Sequence, residues 1–169
     1  SRHQGFKLGD KVLARLGWQL YGCVRGDGEI NKVDASRAPL SYYLGVLGMP
    51  GMTAYFGLKE IGQPKQGETV VVSAASCAVG SVVGQLAKIA GCRAVGIAGG
   101  KQKCEYVVKE LGFDACVDYK AGNLQADLKT ACPKGIDVYF ENVGGEMLDT
   151  LLRLMNPFSR IIVCGLISE

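Results

Sequence analysis

The 169-residue sequence predicts a doubly wound α/β fold, an open parallel sheet with helices on both faces. Three observations carry this expectation. Apolar, β-branched runs recur near Val71, Val95, Val117, Val138 and Ile162, at intervals of 21 to 24 residues. Amphipathic stripes at helical spacing lie between those runs. The interval matches one strand plus a packed crossover helix.

Ahead of the repeat, residues 1 to 34 read as short strands. Lys11 to Arg15 and Trp18 to Val24 are apolar pieces, and Gly26-Asp27-Gly28 supplies a turn. So few strands make no stable core alone. Pro39 to Ile61 reads as helical, broken at Met49-Pro50-Gly51, and Gly62 to Gly67 as a loop into the first long strand.

The helices of the repeat show their buried faces. Val79, Val82, Val83 and Leu86 share one face, as do Cys104, Val107, Val108 and Leu111, and again Leu148, Leu151, Leu152 and Met155. Leu124, Leu128 and Ala131 mark a weaker helix. Gly112 sits where a C-cap glycine would, and Asn156-Pro157 is expected to stop the last helix. A complete fold of this type usually has six strands. The sequence stops after the fifth and starts within strand-like sequence, so both ends read as cut from a larger two-domain protein.

Composition narrows the function. With 48% apolar residues the chain is expected to fold. Its net charge of +3 is scattered, which argues against a nucleic-acid groove. Seven cysteines without a Cys-x-x-Cys pair, and one histidine, argue against structural zinc. Cysteines spread through apolar segments read as reduced thiols in a cytoplasmic protein. The first residues show no secretory h-region. Residues 69 to 87 are uncharged, but Ser73, Ser76, Ser81 and Gln85 interrupt them, so no membrane span is expected.

The stretch from Thr69 to Gly80 carries the chemistry. A β-branched run ends in small residues and passes directly into a helix. That layout brings backbone close to a phosphate and offers it free N–H groups at a helix start. It is the βα turn of a Rossmann-type dinucleotide fold. A Gly-x-Gly-x-x-Gly reading puts its glycines at Ala75, Cys77 and Gly80, so the motif alone is weak. In such a sheet the first and fourth strands are neighbours, and the cofactor crosses their carboxyl ends. The fourth run leads into Glu141-Asn142-Val143-Gly144-Gly145, where glycines permit close approach and Asn142 can donate and accept. A plain strand-to-helix turn accounts for the same glycines.

The second strand speaks to nucleotide choice. An NAD site carries an acid there for the ribose hydroxyls. Here the strand ends in Ile97-Ala98-Gly99-Gly100-Lys101-Gln102-Lys103, with no carboxylate and two lysines. That pattern tilts towards NADP, although either lysine alone also suits a solvated helix. Tyr119, after the third strand, suits an adenine or phosphate contact and equally an ordinary half-buried tyrosine.

Four segments together resemble one family: Gly48 to Leu58, Ala74 to Gln85, Phe140 to Gly145, and Cys164 to Ser168. It is the zinc-independent branch of the medium-chain dehydrogenase/reductases, and within it the NADP-dependent 2-alkenal, prostaglandin and curcumin reductases. The resemblance implies a parent about twice as long, usually a homodimer, that reduces the α,β double bond of small enals and enones with NADPH. It implies that residues 1–40 end a truncated GroES-like catalytic domain and that 41–169 are the NADP-binding domain, lacking its C-terminal part. Cys77, Ala78, Val79 and Gly80 would lie at the pyrophosphate. Gly99, Lys103 and Tyr119 would form the 2′-phosphate pocket. Asn142, Cys164, Gly165, Leu166 and Ile167 would lie near the ribose and nicotinamide, with Thr53 close by. Relatives carry glycine at position 77, so the Cys77 side chain is expected to crowd the pyrophosphate.

Three other readings stand beside it: a quinone reductase on the same fold, a nucleotide-binding module without catalysis, and an S-adenosylmethionine methyltransferase. The residues of the binding turn do not exclude the first, and the cut ends favour the second. Only the third is argued against, since it usually needs an acid where this chain has Gly99-Gly100-Lys101. No catalytic acid is assigned. Tyr42 and Tyr43 are available phenols that helix packing explains as well.

Overall fold

Successive residues of each apolar run point to opposite faces of the sheet, and both faces are buried. A computed structural model describes residues 3–26, 28 and 30–168. Asp27 of the expected turn, and Ser1, Arg2 and Glu169 at the domain bounds, lie outside the described residues. A small antiparallel pair comes first, β1 (Val12–Ala14) against β2 (Ile30–Lys32), with Leu13 opposite Asn31. A 3₁₀ turn over Leu40–Leu44 leads to α1 (Met49–Phe56), which continues as a π-helical turn through Gly62. The repeat follows as β3 (Thr69–Val72), α2 (Gly80–Ile89), β4 (Arg93–Ala98), α3 (Lys101–Lys109), β5 (Ala115–Asp118), α4 (Leu124–Ala131), β6 (Ile136–Glu141), α5 (Gly145–Leu152) and β7 (Met155–Val163).

The five strands β3 to β7 form one parallel sheet in the order β5-β4-β3-β6-β7, with the first and fourth strands of the repeat neighbours as expected. Val70, Val72, Val138 and Phe140 face one way and pack with Val83 and Ala87 of α2, Val107 of α3 and Ala54 of α1. Val71, Val95, Ile97 and Tyr139 face the other way, against Leu128 of α4 and Leu151 of α5. Burial on both faces is why these strands are continuous apolar runs. Close packing between α2 and the segment after α3 depends on Gly84, where a Cβ would fall 1.8 Å from the Phe113 ring. Gly112, at φ +72°, takes the left-handed conformation expected after α3.

Three local expectations change. Trp18 to Val24 is not a strand; Trp18, Leu20 and Tyr21 are almost fully exposed, and the partner of β1 is Ile30–Lys32 instead. Strand-favouring residues without a neighbouring ladder do not hold a strand. Met49-Pro50-Gly51 does not break the helix but opens it, since proline lacks the N–H that the first turn leaves unpaired. Asn156-Pro157 does not stop α5, which ends at Leu152; both residues lie in β7, and Met155 pairs with Ile136. Register shifts between Ile136 and Val138, and β7 borders the described sheet on one side only, where a proline is tolerated. Asn156 secures the irregular stretch, donating to Lys134 O at 3.0 Å and Asp137 Oδ1 at 2.7 Å.

Among the described residues no helix is long and apolar enough to cross a membrane.

Candidate functional site

β3 and β6 lie side by side, and the sheet turns outward from them in both directions. At the carboxyl end of β3 the chain makes a tight turn. Ala74 takes a left-handed φ of +50°. Ala75 is fully buried and its N–H donates to Ile97 O at 3.0 Å, which pins the turn to β4. Gly96 makes room for it, because a Cβ there would come within 2.8 Å of the Ala75 Cβ. Alanine at the first glycine place therefore faces the core and leaves the crevice open.

α2 starts at Gly80 with no side-chain cap. The Cys77 N–H is used internally, donating to Ala74 O at 2.9 Å. The N–H groups of Ala78, Val79 and Gly80 have no acceptor among the described residues. Gly80 allows the close approach, since a Cβ there would meet Ala74 O at 2.4 Å. Unpaired donors at the start of a ten-residue helix suit an anion. The Cys77 side chain is exposed beside them.

A second corner forms where β4 and β5 end. The Tyr119 ring lies against Gly99, where a Cβ would be 2.8 Å from Tyr119 Cε1. Lys103 is in the first turn of α3, with its N–H on Gly100 O at 3.1 Å and its side chain exposed. Asp118 holds this corner together. Its Oδ1 accepts from Gly100 N at 2.7 Å and from Lys120 N at 3.0 Å. The sequence reading gave Asp118 no role, although an acid bonding the N–H two residues on is a recognisable turn pattern. Its charge is thus spent on backbone donors.

The third group gathers around β6 and β7. Cys164 N and Gly165 N both donate to Glu141 O, at 2.9 and 3.1 Å. Ser168 folds back, its N–H and hydroxyl donating to Val143 O at 2.9 and 2.6 Å. Asn142 donates from its side chain to Ser73 O at 2.8 Å and from its backbone to Ser73 Oγ at 2.7 Å. Asn142 and Gly165 are therefore neighbours, whereas Leu166 and Ile167 are exposed and held through the residues that flank them. Tyr119, Gly122 and the run Val143 to Met147 border a cleft of about 560 Å³ that reaches the starts of α4 and α5.

Beneath Asn142 lies a buried polar network that sequence reasoning missed. Ser73, Tyr139 and Glu141 are fully buried. The Glu141 carboxylate accepts from Ser73 Oγ at 2.8 Å, Val143 N at 2.5 Å and Tyr139 OH at 2.6 Å. Burial, and then the Glu141 contact, push the Tyr139 phenol far up, so it remains a donor. Of the other phenols, Tyr43 donates to Asp34 O at 2.8 Å and Tyr42 is half exposed. Thr53 lies on α1, its hydroxyl 3.4 Å from Met49 Sδ.

The family model described as zinc-binding dehydrogenase matches residues 78–169. The chain is similar to the NADPH-dependent curcumin reductase of Escherichia coli (strain K12), 52% identical over 100% of this chain and 49% of that protein. It is 51% identical to the NADP(+)-dependent 2-alkenal reductase of Nicotiana tabacum, over 97% of this chain and 48% of the relative. Among solved structures, CurA from Vibrio vulnificus superimposes with a TM-score of 0.92 at 51% identity, covering 99% of this chain and 49% of that one. Its complex with NADPH matches at 0.80 and 53%, over 84% and 42%. The chain spans about half the length of the curated relatives it matches. The family description names zinc, but among the described residues no three His, Cys, Asp or Glu side chains gather to hold a metal ion.

Proposed function

Because the chain belongs to the zinc-binding dehydrogenase family, we propose that it is the NADP-binding half of a zinc-independent reductase of enals and enones. Residues 1–40 would close a GroES-like catalytic domain, and 41–169 would hold the cofactor. The whole protein would be a cytoplasmic homodimer. The observation that carries the reading is the crevice at the β3/β6 switch point, with unpaired donors on one side and, on the other, a corner where Lys103 is exposed and the Asp118 carboxylate is taken up by backbone N–H groups.

Bound NADPH supplies a hydride for the β-carbon of the substrate. The residues named above do the holding. The N–H groups of Ala78, Val79 and Gly80 would take the pyrophosphate, with Cys77 alongside. Gly99 and Tyr119 would shape the 2′-phosphate seat, and Lys103 would supply its charge. Asn142, fixed by Ser73, and the run Cys164, Gly165, Leu166 and Ile167 would border the nicotinamide ribose. The relatives' names support both the cofactor and the activated C=C substrate.

A fluorescence titration with NADPH and NADH tests the reading. NADPH is expected to bind at least about tenfold more tightly, and Lys103→Ala to lose about tenfold for NADPH alone, the worth of one charge-assisted contact. Equal affinities, or an unaffected variant, would sink it.

Cys77 gives an independent measurement. Its side chain occupies space that a glycine would leave to the pyrophosphate. Cys77→Gly is expected to tighten NADPH by roughly one to two powers of ten, the scale of relieving an overpacked contact. Bound NADPH should also protect Cys77 from alkylation in the parent. A glycine variant that binds no better, with alkylation indifferent to cofactor, would move Cys77 away from the pyrophosphate.

A further inference from the structure

Two thiols that the cofactor reading does not use meet behind the phosphate corner. Cys104 is on α3 and Cys116 on β5, both partly buried and both free. Cys104 Sγ lies 3.9 Å from Ala98 O. The Cys116 thiol lies close enough to the Cys104 thiol and to the Ala98 backbone to interact with both. Gly96, its partner across the β4/β5 ladder, leaves it room, because a Cβ there would lie 3.3 Å from the Cys116 sulfur. Two sulfurs from separate elements thus converge beside Ala98, directly ahead of Gly99 and Gly100.

We propose that Cys104 and Cys116 form a redox-responsive dithiol, a modification site at which a peroxide closes a disulfide and loosens the grip on NADPH. Burial, and then the neighbouring Cys104 thiol, push the Cys116 thiol upward, which suits it to the resolving step, and the sulfur on the helix, Cys104, takes the first step. Its thiolate attacks hydrogen peroxide: an S–O bond forms, the O–O bond breaks, and the leaving hydroxide takes a proton to become water. The Cys116 sulfur then attacks the Cys104 sulfenic acid. The S–S bond forms, the S–O bond breaks, and the second hydroxide leaves as water with the Cys116 proton. Two thiols lose two electrons, and one peroxide becomes two waters. A dithiol reductant reverses the change.

The coupling to cofactor follows from connectivity and rests on the function proposed above. Cys104 is next to Lys103, and the N–H groups of both share Gly100 O, at 3.2 and 3.1 Å. Cys116 precedes Asp118, which holds Gly100 N, and Tyr119, which rests on Gly99. An S–S bond is shorter than a thiol hydrogen bond. Closing it draws the first turns of α3 towards β5 and moves Lys103 relative to Tyr119.

The test treats the purified protein with hydrogen peroxide, blocks the remaining thiols and maps linked peptides by mass. The expected result is a Cys104–Cys116 link and NADPH binding weakened by about fivefold or more, the low end of usual coupling between sites. NADH affinity should stay unchanged, and dithiothreitol should restore the parent. Cys104→Ser and Cys116→Ser should each abolish the link and the affinity change. Cys116→Val, which keeps an apolar side chain in the sheet, serves where serine unfolds the protein. No link, or a link that instead joins the exposed Cys23, Cys77 or Cys164, overturns the dithiol. A correct link with unchanged NADPH affinity overturns its coupling to the cofactor. Reduced protein that fails to prefer NADPH overturns the assignment of the phosphate corner and leaves the mapped link standing.

Discussion

Glu141→Leu is expected to destabilise the protein by roughly 3–5 kcal/mol, a large share of a typical domain's 5–15 kcal/mol. The carboxylate is fully buried and accepts from Ser73 Oγ, Tyr139 OH and Val143 N. Leucine fills similar volume but accepts nothing. The Ser73 hydroxyl can turn to Phe140 O, 3.3 Å away. The Tyr139 hydroxyl keeps only the neighbouring Ser73 hydroxyl as a partner, the Val143 N–H keeps none among the bonds the network makes, and an orphaned buried donor costs about 1–3 kcal/mol. Glu141→Gln keeps one acceptor oxygen and should lose about half as much by the same reasoning. Urea denaturation of the parent and both variants checks the order. A Glu141→Leu loss below about 1 kcal/mol would show that the network contributes little beyond an ordinary hydrogen bond. The effect reaches the crevice as well. Asn142 leans on Ser73 through two bonds, so loosening Ser73 should weaken NADPH binding in the fraction that stays folded.

The strands of the parallel sheet were legible because each is buried on both faces and so reads as a continuous apolar run. The stripes of α2 and α3 were legible for a related reason: Val83 and Val107 repeat the helical period and are the buried members. Where sequence reading went astray, a tertiary partner decided. Trp18 to Val24 has strand-favouring residues and no ladder to join. Asn156-Pro157 has helix-stopping chemistry, yet bonds from Asn156 to Lys134 and Asp137 draw it into β7. The site followed the same division. Gly80 stood out by type and spacing, whereas Gly99 and Tyr119 were paired only by the family resemblance; the structure sets the two against each other. Glu141 and Ser73, 68 residues apart, show their pairing only in three dimensions. Cys104 and Cys116 likewise meet only because α3 folds back over β5.

Gly80→Ala should separate the cofactor site from the core more sharply than any other change. Its Cβ would lie 2.4 Å from Ala74 O and 3.0 Å from Ala75 Cα, both backbone atoms. The turn cannot recoil easily, since Ala74 already sits at φ +50° and Ala75 is tied to Ile97 O. The start of α2 has to move. Overpacking of this kind costs about 1–3 kcal/mol, and rigid backbone on one side favours the upper end. NADPH affinity should fall by about a hundredfold, since a displacement near 1 Å spoils donor alignment on that scale. Gly84→Ala is the matched comparison, four residues along the same helix. Its Cβ would lie 1.8 Å from Phe113 Cζ, in a ring that is 3% exposed. That clash is with a core side chain, so it should cost at least as much stability while NADPH affinity of the folded protein stays within about twofold, sites without shared partners being nearly independent. Urea midpoints and NADPH titrations on both variants decide the matter. If Gly80→Ala binds NADPH as tightly as the parent, or if both variants lose affinity only in step with stability, the pyrophosphate does not rest on the start of α2.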